Sequence, residues 1–115
     1  MIHLVDDDTA VRDSMHVLLE SFGMDVREYA SAREFLDCGE QDRGCLLLDV
    51  HMPGMGGIEL LESMRRCGSA MPTIMISGRS DELLKERANR AGALAFLEKP
   101  VNDALLLAEL DRAFA

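Results

Sequence analysis

The sequence predicts an α/β fold in which strand and helix alternate, (βα) five times over, around one five-stranded parallel sheet. Three observations lead there. Short apolar runs alternate with longer segments whose apolar residues recur at helical spacing. Those runs are nearly continuous in apolar character rather than alternating, as strands covered on both faces should be. The length of 115 residues suits one domain, residues 1–115, and is too short for two. Right-handed crossovers then place helices on both faces of the sheet.

Each element follows in order. Ile2–Asp6 (IHLVD) reads as a buried strand. Val11, Met15, Leu18, Leu19 and Phe22 stripe the first helix, which Gly23 stops. Asp8 is its start residue. Met24–Tyr29 alternates as the second strand, and Ser31 with Glu34 forms a capping box for a short helix to about Cys38. Gly44–Asp49 (GCLLLD) is the most apolar run and predicts the central strand. Gly54, Gly56 and Gly57 bound a loop, and Ile58, Leu61 and Met64 stripe a third helix ending near Gly68. Pro72–Ser77 is the fourth strand, Asp81–Ala91 a charged and weakly apolar helix, Ala93–Glu98 the fifth strand and Asp103–Phe114 the last helix.

Composition narrows the function. Twelve Lys and Arg against twenty-one Asp and Glu give a net charge of −9, which repels phosphate backbones and anionic lipid. Direct nucleic-acid contact and membrane association are therefore not expected. The apolar runs are far shorter than a membrane span, and the first twenty residues lack a basic leader with an apolar stretch. Three cysteines (Cys38, Cys45, Cys67) without a C-x-x-C spacing fit reduced thiols and a cytoplasmic location.

In an open α/β sheet, ligands bind beyond the carboxyl ends of the strands where strand order reverses. In the order 2-1-3-4-5 that point lies between strands one and three. Strand one ends in Asp6-Asp7-Asp8 and strand three in Asp49, so Asp6, Asp7 and Asp49 converge there, with Ser77 and Lys99 on the far side. Crowded carboxylates repel unless a cation neutralises them. Oxygen ligands without His or Cys suit a hard octahedral ion, Mg2+ rather than zinc or calcium, with Mn2+ as a substitute. A carboxylate, a metal site, a hydroxyl and a lysine form a set for handling a phosphoryl group. Asp49, alone on the central strand, is the candidate acceptor.

The residues VDDD at 5–8, LLLDVHMPGMGG at 46–57, MISG at 75–78 and FLEKP at 96–100 resemble the receiver domain of two-component response regulators. The resemblance runs from Ile2 to about Phe114. LLLDVHMPGMGGIEL and GALAFLEKP are most similar to FixJ-like receivers, which usually precede a LuxR-type helix-turn-helix output domain. It implies a flavodoxin-like receiver fold and a signalling switch, a phosphoacceptor rather than an enzyme, which assists its own phosphoryl transfer and autodephosphorylation. Asp49 matches the position phosphorylated by a sensor histidine kinase. Asp6 and Asp7 match the acid pair, Asp7 ligating Mg2+ directly and Asp6 mainly through water. The backbone carbonyl of His51 matches a further metal ligand. Ser77 matches the hydroxyl that bonds the phosphoryl group, and Lys99 the lysine that pairs with its oxygens. Pro100 follows through a cis peptide, and Phe96 matches the aromatic switch residue.

The resemblance also implies a phosphorylation-dependent homodimer through helix 4 and strand 5, where Lys85, Glu86, Arg87 and Arg90 form a charge pattern able to pair across a two-fold axis. An output domain for transcription would lie outside these residues. Two positions depart from the FixJ-like pattern. His51 stands where Arg or Asn is common, and Arg79-Ser80-Asp81-Glu82 stands where a His-Gly-Asp run is usual. His3 and His16 read as incidental.

Three rival readings differ in testable ways. A haloacid-dehalogenase-type hydrolase would carry its nucleophile on the first strand, with an acid where His51 stands. A flavin-binding relative needs aromatic stacking, and this chain has one Tyr and no Trp. A receiver-shaped module that never becomes phosphorylated would not need all five site residues.

Overall fold

The structure is a computed structural model that describes residues 1–38, 43–79 and 81–115. Its elements are β1 (Ile2–Val5), α1 (Thr9–Ser21), β2 (Val26–Tyr29), α2 (Ala32–Cys38), β3 (Cys45–Asp49), α3 (Gly57–Arg66), β4 (Thr73–Ser77), α4 (Glu82–Arg90), β5 (Ala95–Glu98) and α5 (Asp103–Ala113). The strands form one parallel sheet in the order β2-β1-β3-β4-β5. Both the alternation and the order match the sequence-based expectation.

The small boundary differences have local causes. Gly44 sits at φ +90, a left-handed backbone that cannot join a ladder, so β3 starts at Cys45. Ala93 N–H still bonds the Ala88 carbonyl at the end of α4, and the first cross-strand bond comes from Leu94 N–H to Thr73 O. Hence β5 starts later than Ala93. Met24 N–H likewise belongs to the end of α1, bonding Leu19 O, so β2 starts at Val26.

Alternate residues of the buried strands feed two cores. Val5, Tyr29, Leu46, Leu48 and Met75 pack with Phe35 of α2, Ile58, Leu61 and Met64 of α3 and Ala88 of α4. Ile2, Leu4, Cys45, Leu47, Ile74 and Ile76 pack on the other face with Met15 and Leu19 of α1 and Leu106 and Leu110 of α5. Every residue of β3 and β4 is buried, which accounts for their unbroken apolar runs. Burial pushes the Cys45 thiol up to about 12, and all three cysteines are free. Among the described residues no helix is long and apolar enough to cross a membrane.

Caps fix where the helices start. Asp8 Oδ1 accepts from Val11 N–H at the head of α1, Asp81 from Leu83 N–H at α4 and Asn102 from Leu105 N–H at α5. In the Ser31 box, Glu34 N–H donates to Ser31 Oγ as expected, but the Glu34 carboxylate reaches Ala30 N–H rather than Ser31's own.

His3 corrects the sequence reading. It is buried in β1, with Nδ1 3.0 Å from Tyr29 Oη and Nε2 2.9 Å from the Arg43 carbonyl, and it packs against Phe35. It fills the core next to the sheet and is not incidental. His16 is not incidental either: Glu28 and Glu20 flank it at 2.6 and 3.4 Å, which ties α1 to β2.

Candidate functional site

The strand ends deliver the acids. Asp6 follows β1 directly, its N–H still bonded to Tyr29 O, and it is only 4% exposed. Its Oδ1 accepts from Asp8 N–H, which fixes the carboxylate across the turn into α1. Asp7 lies between them and is exposed. Asp49 closes β3 at 5% exposure, and Val50 N–H continues the ladder to Ile76 O. One carboxylate oxygen from each of Asp6, Asp7 and Asp49 falls within 4.8 Å of the others.

Lys99 completes the cluster from the other side. Its backbone N–H bonds Ser77 O, and its Nζ sits 3.3 Å from Asp6 Oδ2 and 3.5 Å from Asp49 Oδ1. The Lys99–Pro100 peptide is cis, as the resemblance implied. One lysine faces three carboxylates, so the cluster retains negative charge. Burial, and next the neighbouring Asp6 charge, push the Asp49 carboxyl above its ordinary range. Lys99 and the His51 N–H pull the other way without cancelling that effect.

This donor set fits a hard divalent cation. It offers carboxylate oxygens, two of them from buried residues, and no thiolate or imidazole. The His51 side chain is exposed, while its N–H approaches Asp49 Oδ1 at 3.4 Å.

Ser77 is fully buried at the end of β4 but is turned elsewhere. Its hydroxyl donates to Arg79 O at 3.0 Å and accepts from Arg79 N–H at 3.1 Å. The structure thus brings Asp6, Asp7 and Asp49 into one cluster with Lys99 in contact with Asp6 and Asp49, while the Ser77 side chain bonds its own loop. Phe96 is half-buried against the core under α3 and α4. Ser80, in the run that departs from the FixJ-like pattern, lies outside the described residues.

Two supporting residues escaped the sequence reading. Arg12 on α1 donates to the Asp6 carbonyl at 2.6 Å and pairs with Glu28 at 3.4 Å, bracing the Asp6 turn. The signal was a lone arginine one turn after the Asp8 cap, which reads as a solvated helix residue. Gly57 lies at the start of α3, where a Cβ would fall on the Asp49 carbonyl oxygen. Its N–H bonds Val50 O, so the backbone of α3 touches the acceptor strand directly. Only glycine permits that approach.

Comparison with known proteins decides the family. The profile of the response regulator receiver domain matches residues 2–111. The chain belongs to the response regulator receiver family. It is similar to the transcriptional regulatory protein FixJ of Azorhizobium caulinodans, with 46% identity over 108 residues, which is 93% of this chain and 51% of that protein. Full-length FixJ from B. japonicum superposes with a TM-score of 0.89 at 42% identity, covering 98% of this chain and 56% of that one. A response regulator receiver protein from Pseudoalteromonas atlantica gives 0.90 at 30% identity, covering 98% and 95%. The chain spans about half the length of the curated FixJ relatives it matches.

As a receiver, the chain is a phosphorylation-activated switch of a two-component system, and receiver domains are phosphorylated by sensor kinases.

Proposed function

We propose that Asp49 accepts a phosphoryl group from the phosphohistidine of a sensor kinase, in the cytoplasm, within a single receiver domain formed by residues 1–115. The observation that carries this reading is the position of Lys99 Nζ, between two nearly buried carboxylates. A cation is held there with no need of its own for so much negative charge, and a third acid stands beside it.

An Asp49 carboxylate oxygen attacks phosphorus, the P–N bond breaks, and the imidazole leaves with its electron pair. Asp6, Asp7, Asp49 and the His51 carbonyl would hold Mg2+, or Mn2+ in its place. When bound, the ion offsets charge on the phosphoryl oxygens. Lys99 exchanges its Asp49 contact for a phosphoryl oxygen. Beside the cluster, an apolar groove of about 420 Å³ between α1 and the segment that links β5 to α5, walled by Val11, Leu18, Pro100 and Val101, gives the donor's helix a seat. Water later attacks phosphorus, the bond to the Asp49 oxygen breaks, and inorganic phosphate leaves with the carboxylate free again, which is the autodephosphorylation step.

Phosphorylation adds acceptor oxygens that compete for the Ser77 hydroxyl. Releasing Arg79 from Ser77 frees the loop that leads into α4, and Phe96 follows as the switch residue. The readout is a homodimer through α4 and β5, serving a transcriptional output domain. Leu83, 76% exposed on α4, supports that face. Its charges are matched within the chain, Lys85 with Glu98, Arg87 with Glu62 and Arg90 with Glu86, so dimerisation exchanges partners rather than filling vacancies.

The test is intact mass after incubation with acetyl phosphate, with and without Mg2+, for the wild type and Asp49→Asn. One phosphoryl group gained only with Mg2+, and only by the wild type, is the expected result. A gain that survives Asp49→Asn moves the acceptor to another carboxylate. No gain, with no binding of a beryllofluoride mimic, leaves an unphosphorylated interaction module.

A further inference from the structure

At the opposite end of the sheet from Asp49 lies a second charged cluster, of the other sign. Helices in a right-handed βαβ unit run antiparallel to their strands, so α3 and α4 both end there. Arg65 and Arg66 close α3, and Arg87 and Arg90 occupy the last turn of α4. Together with Glu62 and Ala91 they line one groove of about 580 Å³ between the two helices. Four of the chain's twelve basic residues stand in it, against one acid, in a chain of net charge −9.

Structural demands do not use up these arginines. Arg65 is committed: its guanidinium donates to the Ser69, Met71 and Gly92 carbonyls at 3.0, 2.9 and 3.1 Å, which makes it a fixed floor. The helix ends are already satisfied through backbone, by Cys67 N–H on α3 and Ala91 N–H on α4. Glu62 is matched by Arg87 at 3.1 Å across the groove. Among the described residues Arg90 has only Glu86 at 3.7 Å, both largely exposed, a contact of little worth. Arg66 is exposed and makes no hydrogen bond or ion pair among the described residues. Some attraction to the negative ends of two helix dipoles accounts for one basic group per end, not for this surplus.

We infer that the α3–α4 groove binds a compact multivalent phosphate, of the pyrophosphate or tripolyphosphate class, through Arg66, Arg87 and Arg90. Guanidinium forks match phosphate oxygens in pairs. The groove offers only Ala91 and side-chain stems as apolar lining, too little to anchor an acidic peptide. A long polyanion such as duplex DNA would also lie over the acidic remainder of the surface. A compact anion feels only charges within a Debye length, about 8 Å at physiological salt. Bound there it would tie α4 to α3. This inference uses none of the residues of the Asp49 cluster, although Arg87 and Arg90 also belong to the α4 face proposed for the dimer.

The experiment is an amide NMR titration of the whole chain with inorganic tripolyphosphate in EDTA, without Mg2+ or any phosphodonor. Shifts confined to the ends of α3 and α4 are expected, with affinity lowered at least tenfold in Arg66→Ala/Arg90→Ala and unchanged in Arg33→Ala. Arg87→Gln should weaken binding as well, and thermal melts confirm that each variant folds. Shifts centred on Lys99, equal binding by the double variant, or no saturable shift would overturn the proposal. Tighter binding of hexaglutamate at the same groove would overturn the phosphate class in favour of an acidic peptide.

Discussion

The ends of β1 and β3 and the pair α4 and β5 belong to one fold, yet they are held in opposite ways. Asp6 and Asp49 are almost wholly buried, fixed by backbone bonds on both sides, by Arg12 beneath Asp6 and by α3 pressed against the Asp49 carbonyl. α3 buries five residues behind them. On the other side α4 buries only Ala88, β5 has no buried residue, and the Ser77 hydroxyl is bonded to the backbone of the loop that follows it. Segments with few buried apolar contacts open at the lowest cost. The charged half is therefore preassembled, and the half that must respond is lightly fastened. A switch needs both, since a site that moved as easily as its reporter could not impose a direction on it.

Three substitutions test this contrast, taken from the largest expected effect downward. Gly57→Ala should destabilise the fold by about 3 kcal/mol, at the upper end of overpacking costs, because its Cβ collides with backbone that cannot yield without moving Asp49. Urea melts measure this, and a loss below about 1 kcal/mol would show that the acceptor strand is looser than described.

Asp49→Asn should raise Tm by about a few degrees at pH 7 in EDTA. The sign follows from the raised carboxyl: the folded state holds its proton more tightly than the unfolded chain, whose value is 3.8. Folded stability thus falls as pH climbs through the window between 3.8 and that raised value, and the penalty is complete above it. The gain from Asn is full at neutral pH and fades as pH drops through the same window. Added Mg2+ should stabilise the wild type more than the variant. A variant less stable than the wild type at neutral pH would mean that the Lys99 contact outweighs the crowding.

Leu83→Ala should change stability by less than about 0.5 kcal/mol, since an exposed residue on α4 holds little in place. It should nevertheless weaken the phosphorylation-dependent dimer, read by size measurement after acetyl phosphate treatment. A protein that stays monomeric when phosphorylated would remove the dimer altogether.

Much of this was legible in the chain. Continuous apolar runs specify strands buried on both faces, helical stripes specify their crossovers, and a parallel sheet of that length brings the residues after β1 and β3 together. Asp6, Asp7, Asp49 and Lys99 were therefore readable as one cluster before any coordinates. The local pattern misread residues whose partners lie far along the chain. His3 looked incidental because Tyr29 and Arg43 are 26 and 40 positions away. Arg12 went unread because its acceptor is a backbone carbonyl, which carries no side-chain signature. Gly57 read as loop punctuation, although its role is to let α3 touch the acceptor strand.

The sequence alone determined which elements form, in what order, and which charged groups meet at the strand ends, because periodicity and chain connectivity are local properties. Only the tertiary structure decided that Lys99 sits between two acids, that Ser77 turns toward Arg79 and that four arginines of α3 and α4 share one groove. Those outcomes depend on side-chain direction and on distances across the fold, where burial and charge select among geometries that the chain's pattern leaves open.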